Sequence, residues 1–403
     1  MRILLLHNRY KCAGGEDGVV QAERALLARM GHAVELWQES NDAITGPIAA
    51  GITAFQSVYS FRHAREMRRR IKRFRPDLVH IHNFFPRFSP SVHIACRRAG
   101  TPVVQTLHNF RLLCPAATLH AESVVCEGCL GRAIPWPAIV RGCYRGSRPA
   151  SLAVANMLAI HRALGTWNRS VNQFITLSQF ARKKFVAGGI AADKIAVKPN
   201  FVDPDPGLGT GNGGFALFVG RLVEEKGVHT LLAAWNQLRI PRRLKIVGDG
   251  PLAALVAQAA AKNPQIEWLG RCDQAQVRRA MADAALLVFP STWYEAFPLV
   301  IVEAFAAGLP IVASQLGAME ELIADGETGR LFPPGNPAGL ANAVESAFAH
   351  PDQMRAMRLR ARATYEQKYT AEVNSTHLMA IYQKSLENSP ATARRASRLE
   401  AIG

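Results

Sequence analysis

One local pattern recurs along the sequence: a short run of apolar residues, a polar loop, and a stretch with helical periodicity. In the first half the apolar runs are RILLLH (2–7), HAVELW (32–37), DLVHIH (77–82) and PVVQTLH (102–108), and a helical stretch at 19–30 follows the first run. Strands that alternate with helices form a parallel sheet flanked by helices. The first half is therefore predicted to be an α/β domain.

The same pattern starts again after residues 201–214, FVDPDPGLGTGNGG, which are rich in Pro and Gly and lack apolar periodicity. Five more strands are predicted beyond this segment: FALFVG (215–220), LKIVG (244–248), IEWLG (266–270), ALLVFPS (285–291) and PIVAS (310–314). The 403 residues fit two domains of about 200 residues each.

We therefore predict an N-terminal domain at 1–200, an interdomain linker at 201–214, a C-terminal domain at 215–386 and a polar tail at 387–403. Two α/β domains joined in this way would enclose a cleft, and ligands of such sheets bind at the carboxyl ends of the strands.

Charge is distributed unevenly between the two halves. The net charge is +17, and residues 1–200 contain 28 Lys and Arg against 11 Asp and Glu, whereas the remaining residues contain 20 of each. Such a basic half is expected to meet an anionic partner: a phosphorylated ligand, an acidic membrane surface or nucleic acid. No apolar run is long enough to cross a bilayer, and MRILLLHNRYK has too short an apolar core for a signal peptide, so we expect a cytoplasmic protein.

Two carboxylates interrupt an apolar run in STWYEAFPLVIVEAFAAG (291–308), at Glu295 and Glu303. Pro298 suits the first turn of a helix that ends at Gly308, which places Glu295 in the preceding loop and Glu303 inside the helix. A buried carboxylate needs hydrogen-bond donors, and the hydroxyl groups of a ligand would supply them. The alternative is a pair of solvated surface residues.

A glycine-flanked loop of the second domain contains two cations. The segment FVGRLVEEKGVHTLL (218–232) places Arg221 and Lys226 between a strand and a helix. Arginine binds phosphate through two hydrogen bonds, lysine binds it as a point charge, and a helix N-terminus adds backbone N–H groups. The loop predicts a diphosphate site, with a surface ion pair to Glu224 or Glu225 as the alternative.

Four segments, taken in order, resemble the signature of glycosyltransferase family 4: GRLVEEKG, VGDGP (247–251), YEAFPLVIVEAFAAGLPIVAS and DGETGRLFPPGN (325–336). The resemblance covers nearly all of the C-terminal domain and, more loosely, the N-terminal domain. It implies the GT-B fold, in which two Rossmann-like parallel-sheet domains face a central cleft. It also implies a retaining, hexosyltransferase-like enzyme that uses a nucleotide sugar.

The resemblance implies donor-binding roles in the C-terminal domain: Arg221 and Lys226 for the diphosphate, Glu303 for the ribose, Glu295 for the donor sugar, and the backbone of Ala296, Phe297 and Pro298 for sugar and phosphate. The glycine that is common in the family after the first glutamate is Ala296 here. Its methyl group is expected to tighten the sugar pocket.

In the N-terminal domain, Gly14 and Gly15 resemble the family's glycine-rich first loop, where backbone N–H groups approach the donor phosphate or the acceptor. A turn that needs a positive φ is the alternative for either glycine. His108 resembles the family histidine that contacts the donor sugar near the reacting centre. His80 and His82 share one strand face and are interpreted as packing or acceptor-site residues, not as a metal pair.

The family's reaction is usually written as a front-side transfer, in which the leaving phosphate helps to deprotonate the acceptor hydroxyl. The diphosphate charge would then be carried by Arg221, Lys226 and the helix N-terminus, so that no metal is expected to be required for catalysis. Glu295 as a covalent nucleophile is the alternative.

Four cysteines lie in a segment that the family resemblance does not explain. Cys114, Cys126, Cys129 and Cys143 follow a C-x11-C-x2-C-x13-C spacing within an insertion at 114–143. This spacing suits tetrahedral ligation of a structural Zn²⁺ by a loop too polar to have a core of its own. Free thiols, a disulfide and an iron–sulfur cluster are the alternatives.

The segment RHAREMRRRIKRFR (62–75) contains eight Arg or Lys and one Glu. It predicts peripheral contact with anionic lipid at the inner face of the membrane, with a solvated helix face as the alternative. Nucleic acid is not expected as a partner, because no aromatic residues are interleaved with the charges.

Together these features predict a glycosyltransferase that moves a sugar from a UDP- or GDP-linked donor to a glycan or lipid-linked acceptor. Polysaccharide or lipopolysaccharide biosynthesis is the expected setting. A sugar-nucleotide epimerase or hydrolase with the GT-B fold is one alternative, and a basic nucleic-acid-binding protein is the other.

Overall fold

Two six-stranded parallel sheets organise the chain in the computed structural model, which describes residues 1–10, 14–43 and 46–388. The described chain divides into two units. The first comprises 1–119, 126–200 and 374–388, and the second comprises 120–125 and 201–373. The prediction of two Rossmann-like α/β domains is confirmed.

In chain order, the strands of the described residues are β1 (Arg2–Arg9), β2 (Ala33–Ser40), β3 (Leu78–Asn83), β4 (Val103–Leu107), β5 (His120–Ala121), β6 (Val124–Val125), β7 (Gln173–Thr176), β8 (Ile195–Val197), β9 (Phe215–Val219), β10 (Arg243–Val247), β11 (Ile266–Gly270), β12 (Leu286–Phe289), β13 (Ile311–Ser314) and β14 (Gly329–Phe332). The sequence did not predict β5, β6, β7, β8 and β14, which have only two to four residues each.

The α-helices of the same residues are α1 (Gly15–Arg29), α2 (Gly46–Gln56), α3 (Phe61–Phe74), α4 (Ser91–Ala99), α5 (Trp136–Arg141), α6 (Arg148–Ala163), α7 (Thr166–Ser170), α8 (Gln179–Ala187), α9 (Val228–Trp235), α10 (Ala253–Lys262), α11 (Gln274–Asp283), α12 (Leu299–Ala306), α13 (Ala318–Leu322), α14 (Pro337–Ala349), α15 (Pro351–Lys368) and α16 (Ala371–Glu387). Among these described helices, none combines the length and the apolarity that a bilayer span requires.

The strand order of the first sheet is β2-β1-β3-β4-β7-β8, and that of the second is β11-β10-β9-β12-β13-β14. In the first sheet, β2 lies on one side of β1 and all later strands lie on the other side, so the strand order reverses between β1 and β3. In the second sheet, the strand order reverses in the same way between β9 and β12. Ligands of doubly wound sheets bind beyond the carboxyl ends of the strands at such a switch point. The candidate residues of each unit are expected at these two places.

The last helix returns to the first unit. Leu378, Ile381 and Tyr382 of α16 join the buried core formed by residues of β1, β3, β4 and β7. The predicted C-terminal domain at 215–386 had included this helix, whereas the unit boundary falls at Asn374. Of the predicted polar tail, residues 389–403 lie outside the described residues.

The predicted linker at 201–214 contains no helix or strand and is hydrogen-bonded to the second unit. The Gly209 N–H donates to the Ala307 carbonyl at 3.0 Å, and the Gly213 N–H donates to the Asp283 carbonyl at 2.8 Å. A Cβ at Gly209 would lie 2.4 Å from the Ala282 carbonyl oxygen. Gly209 therefore serves close packing of this segment against the backbone of the second unit.

A buried charge network fastens α16 to the first sheet. Oε2 of Glu23, on α1, lies 3.2 Å from Nζ of Lys198, and each side chain is 1% exposed. Lys198 also donates to Asn374 of α16 at 3.2 Å. Oε1 of Glu23 lies 3.1 Å from His80, whose Nδ1 is 2.7 Å from the Tyr382 hydroxyl.

This network decides the charge state of its carboxylate. Burial by itself would raise the pKa of Glu23, but the charge of Lys198 and the neighbouring His80 and His82 hold that pKa well below its usual range. Glu23 is therefore ionised at neutral pH and depends on Lys198 for compensation.

We expect Lys198→Met to lower the free energy of unfolding at pH 7 by about 3–5 kcal/mol, because removing one partner leaves a buried charge unpaired. Urea denaturation measures this loss. The double variant Glu23→Gln/Lys198→Met is the control and should recover part of the loss. Because the pKa of Glu23 is depressed, the difference from wild type should shrink as the pH falls through that folded-state pKa. A loss below about 1 kcal/mol at pH 7 would contradict the assigned charge state.

Candidate active site

The loops that follow β9, β10 and β12 approach one another closely at the carboxyl edge of the second sheet. Gly227 has φ +71°, and a Cβ there would lie 1.9 Å from the Pro290 carbonyl oxygen. Gly248 has φ +143°, and a Cβ there would lie 1.8 Å from the Gly220 carbonyl oxygen. No side chain fits in either gap, so the GRLVEEKG and VGDGP segments need these glycines for contact between loops.

This packing brings Glu295 against Lys226. Oε1 of Glu295 accepts hydrogen bonds from Lys226 Nζ at 2.6 Å, Ser291 Oγ at 3.0 Å and Trp293 Nε1 at 2.6 Å. Within the part of the chain that the structure describes, Oε2 receives no hydrogen bond. One carboxylate oxygen is thus fixed by three donors, and the other remains able to accept a ligand hydroxyl. Lys226 pairs with this buried carboxylate and not with Glu224 or Glu225.

Two further groups at this edge could bind an anion. The Arg221 side chain is exposed and has no ion-pair partner among residues 1–10, 14–43 and 46–388. Helix α12 begins after Pro298, and no side chain caps its first turn. The backbone at Ala296 and Phe297 leads into this uncapped turn, as the sequence predicted. Uncapped N–H groups and a free guanidinium are both phosphate-binding groups.

Glu303 lies inside α12, as predicted, and borders a cavity of about 320 Å³ whose other lining residues are Val202, Pro206, Gln274, Val277, Arg278, Met281 and Ala307. Burial raises the pKa of Glu303, and the nearby charge of Arg278 partly opposes this shift. Its carboxylate accepts no hydrogen bond from a described residue. The Glu303 side chain is half-buried, so its carboxylate is open to the hydroxyl groups of a ligand as well as to water.

In the first unit, the switch point between β1 and β3 is lined by histidines. His108, which follows β4, lies 3.0 Å from His82 through its Nε2, and the two rings stack with centroids 5.3 Å apart. Burial, with the neighbouring His82 and His7, lowers the pKa of His108 well below its usual value. His108 is therefore neutral at pH 7 and acts as a hydrogen-bonding group without charge.

His80 is a packing residue, because its ring is fully buried between Thr106 and Tyr382. With Glu23 and His82 it forms the single group of potential metal-ligand atoms within 4.8 Å of one another that the described residues contain. Lys198 lies 3.2 Å from the same carboxylate and already balances its charge. Of the two roles predicted for His80 and His82, packing describes His80, and the absence of a metal from this pair stays a prediction.

The sequence interpretation missed two acidic residues beside the glycine loop. Gly14 is the N-cap of α1 and Gly15 is its first residue. Asp17 accepts a hydrogen bond from the Gly14 N–H at 3.1 Å and lies 2.7 Å from Nε2 of His7. Burial, with the charge of Asp17, raises the pKa of Glu16 well above its usual range. The sequence Gly-Gly-Glu-Asp at 14–17 was the signal that could have revealed these two acidic residues.

The four predicted zinc ligands lie in the first unit as free thiols. Burial raises the pKa of Cys129 to about 11, and the other three thiols contribute to the shift, so the four lie within electrostatic range of one another. Nη1 of Arg141 is 3.2 Å from Sγ of Cys126. In the described chain, no three of these sulfur atoms lie mutually within 4.8 Å.

Comparison with protein families matches both units. Residues 14–206 match the model described as Glycosyltransferase Family 4, and residues 214–350 match the model described as Glycosyl transferases group 1. The phosphatidyl-myo-inositol mannosyltransferase of Mycobacterium leprae is 33% identical over 312 residues, which cover 73% of this chain and 78% of that protein. The D-rhamnosyltransferase WbpZ of Pseudomonas aeruginosa is 38% identical over 39% of this chain and 42% of its own length.

Solved structures with low sequence identity share the fold. The structure of Anabaena Alr3699/HepE in complex with UDP superposes with a TM-score of 0.67 at 20% identity, covering 95% of this chain and all of that one. Sucrose-phosphate synthase from Thermosynechococcus elongatus gives a TM-score of 0.70 at 18% identity, covering 95% of this chain and 98% of that one.

Proposed function

The chain belongs to glycosyltransferase family 4, and on that premise we propose that it is a retaining transferase using a UDP- or GDP-linked sugar. The acceptor is a glycan or a lipid-linked molecule, in the assembly of polysaccharide or lipopolysaccharide. The observation that carries the proposal is the Glu295 carboxylate, which is held through one oxygen and presents the other.

The second unit binds the donor. Arg221 and Lys226 neutralise the diphosphate, together with the uncapped first turn of α12. Glu303 accepts hydrogen bonds from the ribose, and Oε2 of Glu295 accepts one from the donor sugar. Support for this class of donor comes from the UDP that the Anabaena HepE structure contains.

The reaction breaks the bond between the anomeric carbon and the diphosphate oxygen. The acceptor oxygen bonds to the same face of that carbon, and the leaving phosphate takes the acceptor proton. Charge developing on the diphosphate is stabilised by the cations and N–H groups of the second unit, so we propose no catalytic metal. Neutral His108 contacts the donor sugar through a hydrogen bond.

We expect the best member of a panel of UDP and GDP sugars to stabilise the protein by about 2.7 kcal/mol at a concentration of 100 Kd. Glu303→Ala should lose most of that stabilisation, because the ribose loses its acceptor. Thermal unfolding with and without donor gives the comparison. Glu320→Ala removes an exposed carboxylate of the same unit and should keep the full stabilisation. If Glu303→Ala keeps it as well, the ribose site lies elsewhere.

The same mixtures separate the proposed transferase from the enzymatic alternative. A transferase consumes its donor only when an acceptor is present, whereas an epimerase or hydrolase consumes it alone. Consumption of the nucleotide sugar, measured with and without acceptor, therefore distinguishes the two.

We also propose that α3 rests on anionic membrane lipid. Four residues at helical spacing form one exposed stripe: Phe61, Arg65, Arg68 and Lys72. Phe61 is 81% exposed, and its three cationic neighbours have no ion-pair partners among the described residues. Arg70, on another side of α3, is instead held by Glu35 and Glu66. The mycobacterial relative is a phosphatidyl-myo-inositol mannosyltransferase, named for a phospholipid, and this supports the proposal.

Replacing Arg65, Arg68 and Lys72 with Ser should weaken binding to vesicles containing phosphatidylglycerol by about 100-fold, since each cation near an anionic surface contributes ~1 kcal/mol. Co-sedimentation at low salt measures this. The matched control replaces three exposed cations of the second unit, Lys262, Arg279 and Arg360, with Ser and should bind normally. Equal losses in both variants would contradict a specific stripe. Neither of these two variants should bind duplex DNA tightly at physiological salt.

The cysteine insertion is the basis of a structural proposal, a Zn²⁺ ion held by Cys114, Cys126, Cys129 and Cys143. Support comes from the four-thiol donor set and from Arg141, whose charge would offset that of a tetrathiolate. The sulfur atoms would draw together around the ion.

We expect elemental analysis of untagged protein to find about one zinc per chain. Cys126→Ser should lose that zinc and lower the midpoint of thermal unfolding, because structural zinc contributes folding energy. Cys272→Ser, outside the cluster, is the control and should retain the metal. No stoichiometric metal in the wild-type protein would refute the site.

A further inference from the structure

The hairpin formed by β5 and β6 has no part in the function proposed so far. It spans residues 120–125, inside the cysteine insertion, and it belongs to the second unit, whereas the residues on either side of it belong to the first. Its two strands are antiparallel. The Cys126 N–H donates to the Leu119 carbonyl at 2.8 Å and closes the base of the hairpin. The insertion therefore contributes a short, closed segment to the unit that contains the predicted donor residues.

The turn of this hairpin places two residues other than glycine in the left-handed region. Glu122 has φ +53° and Ser123 has φ +61°. A two-residue hairpin turn of this type needs a positive φ at both positions, and glycine or asparagine adopts it most easily. The Ser123 hydroxyl donates to Oε2 of Glu224 at 3.1 Å. This hydrogen bond gives a reason for a serine where a glycine would be less strained.

The hairpin contacts two loops at the carboxyl edge of the second sheet. Glu224, the partner of Ser123, lies in the loop after β9, two residues before Lys226. The ring of His120 meets the ring of Trp293, in the loop after β12, edge to face, with centroids 6.5 Å apart and an interplanar angle of 85°. These are the two loops that bring Lys226 and Glu295 together.

Trp293 is the side chain through which the hairpin reaches the carboxylate. Its Nε1 donates to Oε1 of Glu295 at 2.6 Å, and Nζ of Lys226 lies 5.7 Å from its ring centroid. The indole ring moves as one rigid group, and a hydrogen bond weakens steeply when its donor is misaligned. A tilt of this ring would therefore loosen Oε1 and change the direction of Oε2. The contact with His120 opposes such a tilt.

We propose that the β5–β6 hairpin is a positioning element of the donor site: His120 orients Trp293, and through it the Oε2 atom of Glu295 that accepts a hydrogen bond from the donor sugar. The hydrogen bond of Ser123 holds the hairpin against the neighbouring loop. The inference rests on the proposed function, which assigns the donor sugar to Oε2. It gives the cysteine insertion a role in binding the donor.

The test compares two ligands by titration calorimetry of the full chain. One is the UDP or GDP sugar that stabilises the wild-type protein most, and the other is the same nucleoside diphosphate without its sugar. His120→Ala should weaken binding of the nucleotide sugar about tenfold and leave that of the nucleoside diphosphate within about twofold, because the hydrogen bond that is disturbed fixes the carboxylate at the sugar.

Two further variants of the hairpin serve as controls. His120→Phe keeps an aromatic ring against Trp293 and should restore most of the affinity for the nucleotide sugar. Val124→Ala, at an exposed position of the same hairpin, should bind both ligands as the wild-type protein does. Equal weakening of both ligands by His120→Ala would indicate a loosened fold and overturn the proposal, and so would an unchanged affinity for the nucleotide sugar.

The route through Trp293 has a test of its own. Trp293→Phe removes the indole N–H, keeps a ring, and should also weaken binding of the nucleotide sugar about tenfold. Adding His120→Ala to Trp293→Phe should cause little further loss, because the two residues act through one hydrogen bond. Losses that multiply in the double variant would contradict this route.

A measurement without ligand separates the failure of this inference from the failure of the proposed function. Isotope-labelled tryptophan gives indole N–H signals in the NMR spectrum for the six tryptophans, and the signal missing from Trp293→Phe belongs to Trp293. His120→Ala should speed hydrogen exchange of that N–H at least about tenfold, because its hydrogen bond opens more often. An unchanged rate would overturn the positioning role, even where a donor binds. If the rate rises but no UDP or GDP sugar binds the wild-type protein, the proposed function fails, and only the orientation of Trp293 by His120 is upheld.

Discussion

Backbone-to-backbone contact at the carboxyl edge of the second sheet determines where the predicted donor residues lie. At Gly227 and Gly248 the loops after β9, β10 and β12 come closer than any side chain allows. This contact sets Lys226 against Glu295 and places both beside the start of α12. Hydrogen bonds from Lys226, Ser291 and Trp293 fix one oxygen of Glu295 in this position, and charges held in place in this way are what electrostatic catalysis uses.

The two units differ in the charge of the groups at their candidate ligand sites. In the second unit, Lys226 pairs with one oxygen of Glu295, and the exposed Arg221 has no ion-pair partner among the described residues. In the first unit, burial near the switch point disfavours charge: it lowers the pKa of His108 well below its usual value and raises the pKa of Glu16 well above its usual value. The first unit therefore offers polar hydrogen-bonding groups, and the second offers fixed cations.

Local signals in the sequence sufficed for the α/β class and for the start of α12, because proline, glycine and apolar periodicity act within a few residues. They could not reveal the partner of Lys226, since the pairing with Glu295 arises only when two strands lie side by side. The pairing of His7 with Asp17 likewise depends on the turn between β1 and α1. Short strands such as β8 contain too few residues for a pattern, and only tertiary packing defines them.

The chain enters the first unit at its beginning and again with α16, whose Tyr382 hydroxyl meets His80 in the buried network. A gene segment encoding residues 1–200 therefore lacks part of its own core. Recombination that exchanges the second unit between relatives must carry the final helix with the first unit, or supply one whose tyrosine and asparagine match. The fold thus links the inheritance of the first unit to the last described residues of the chain.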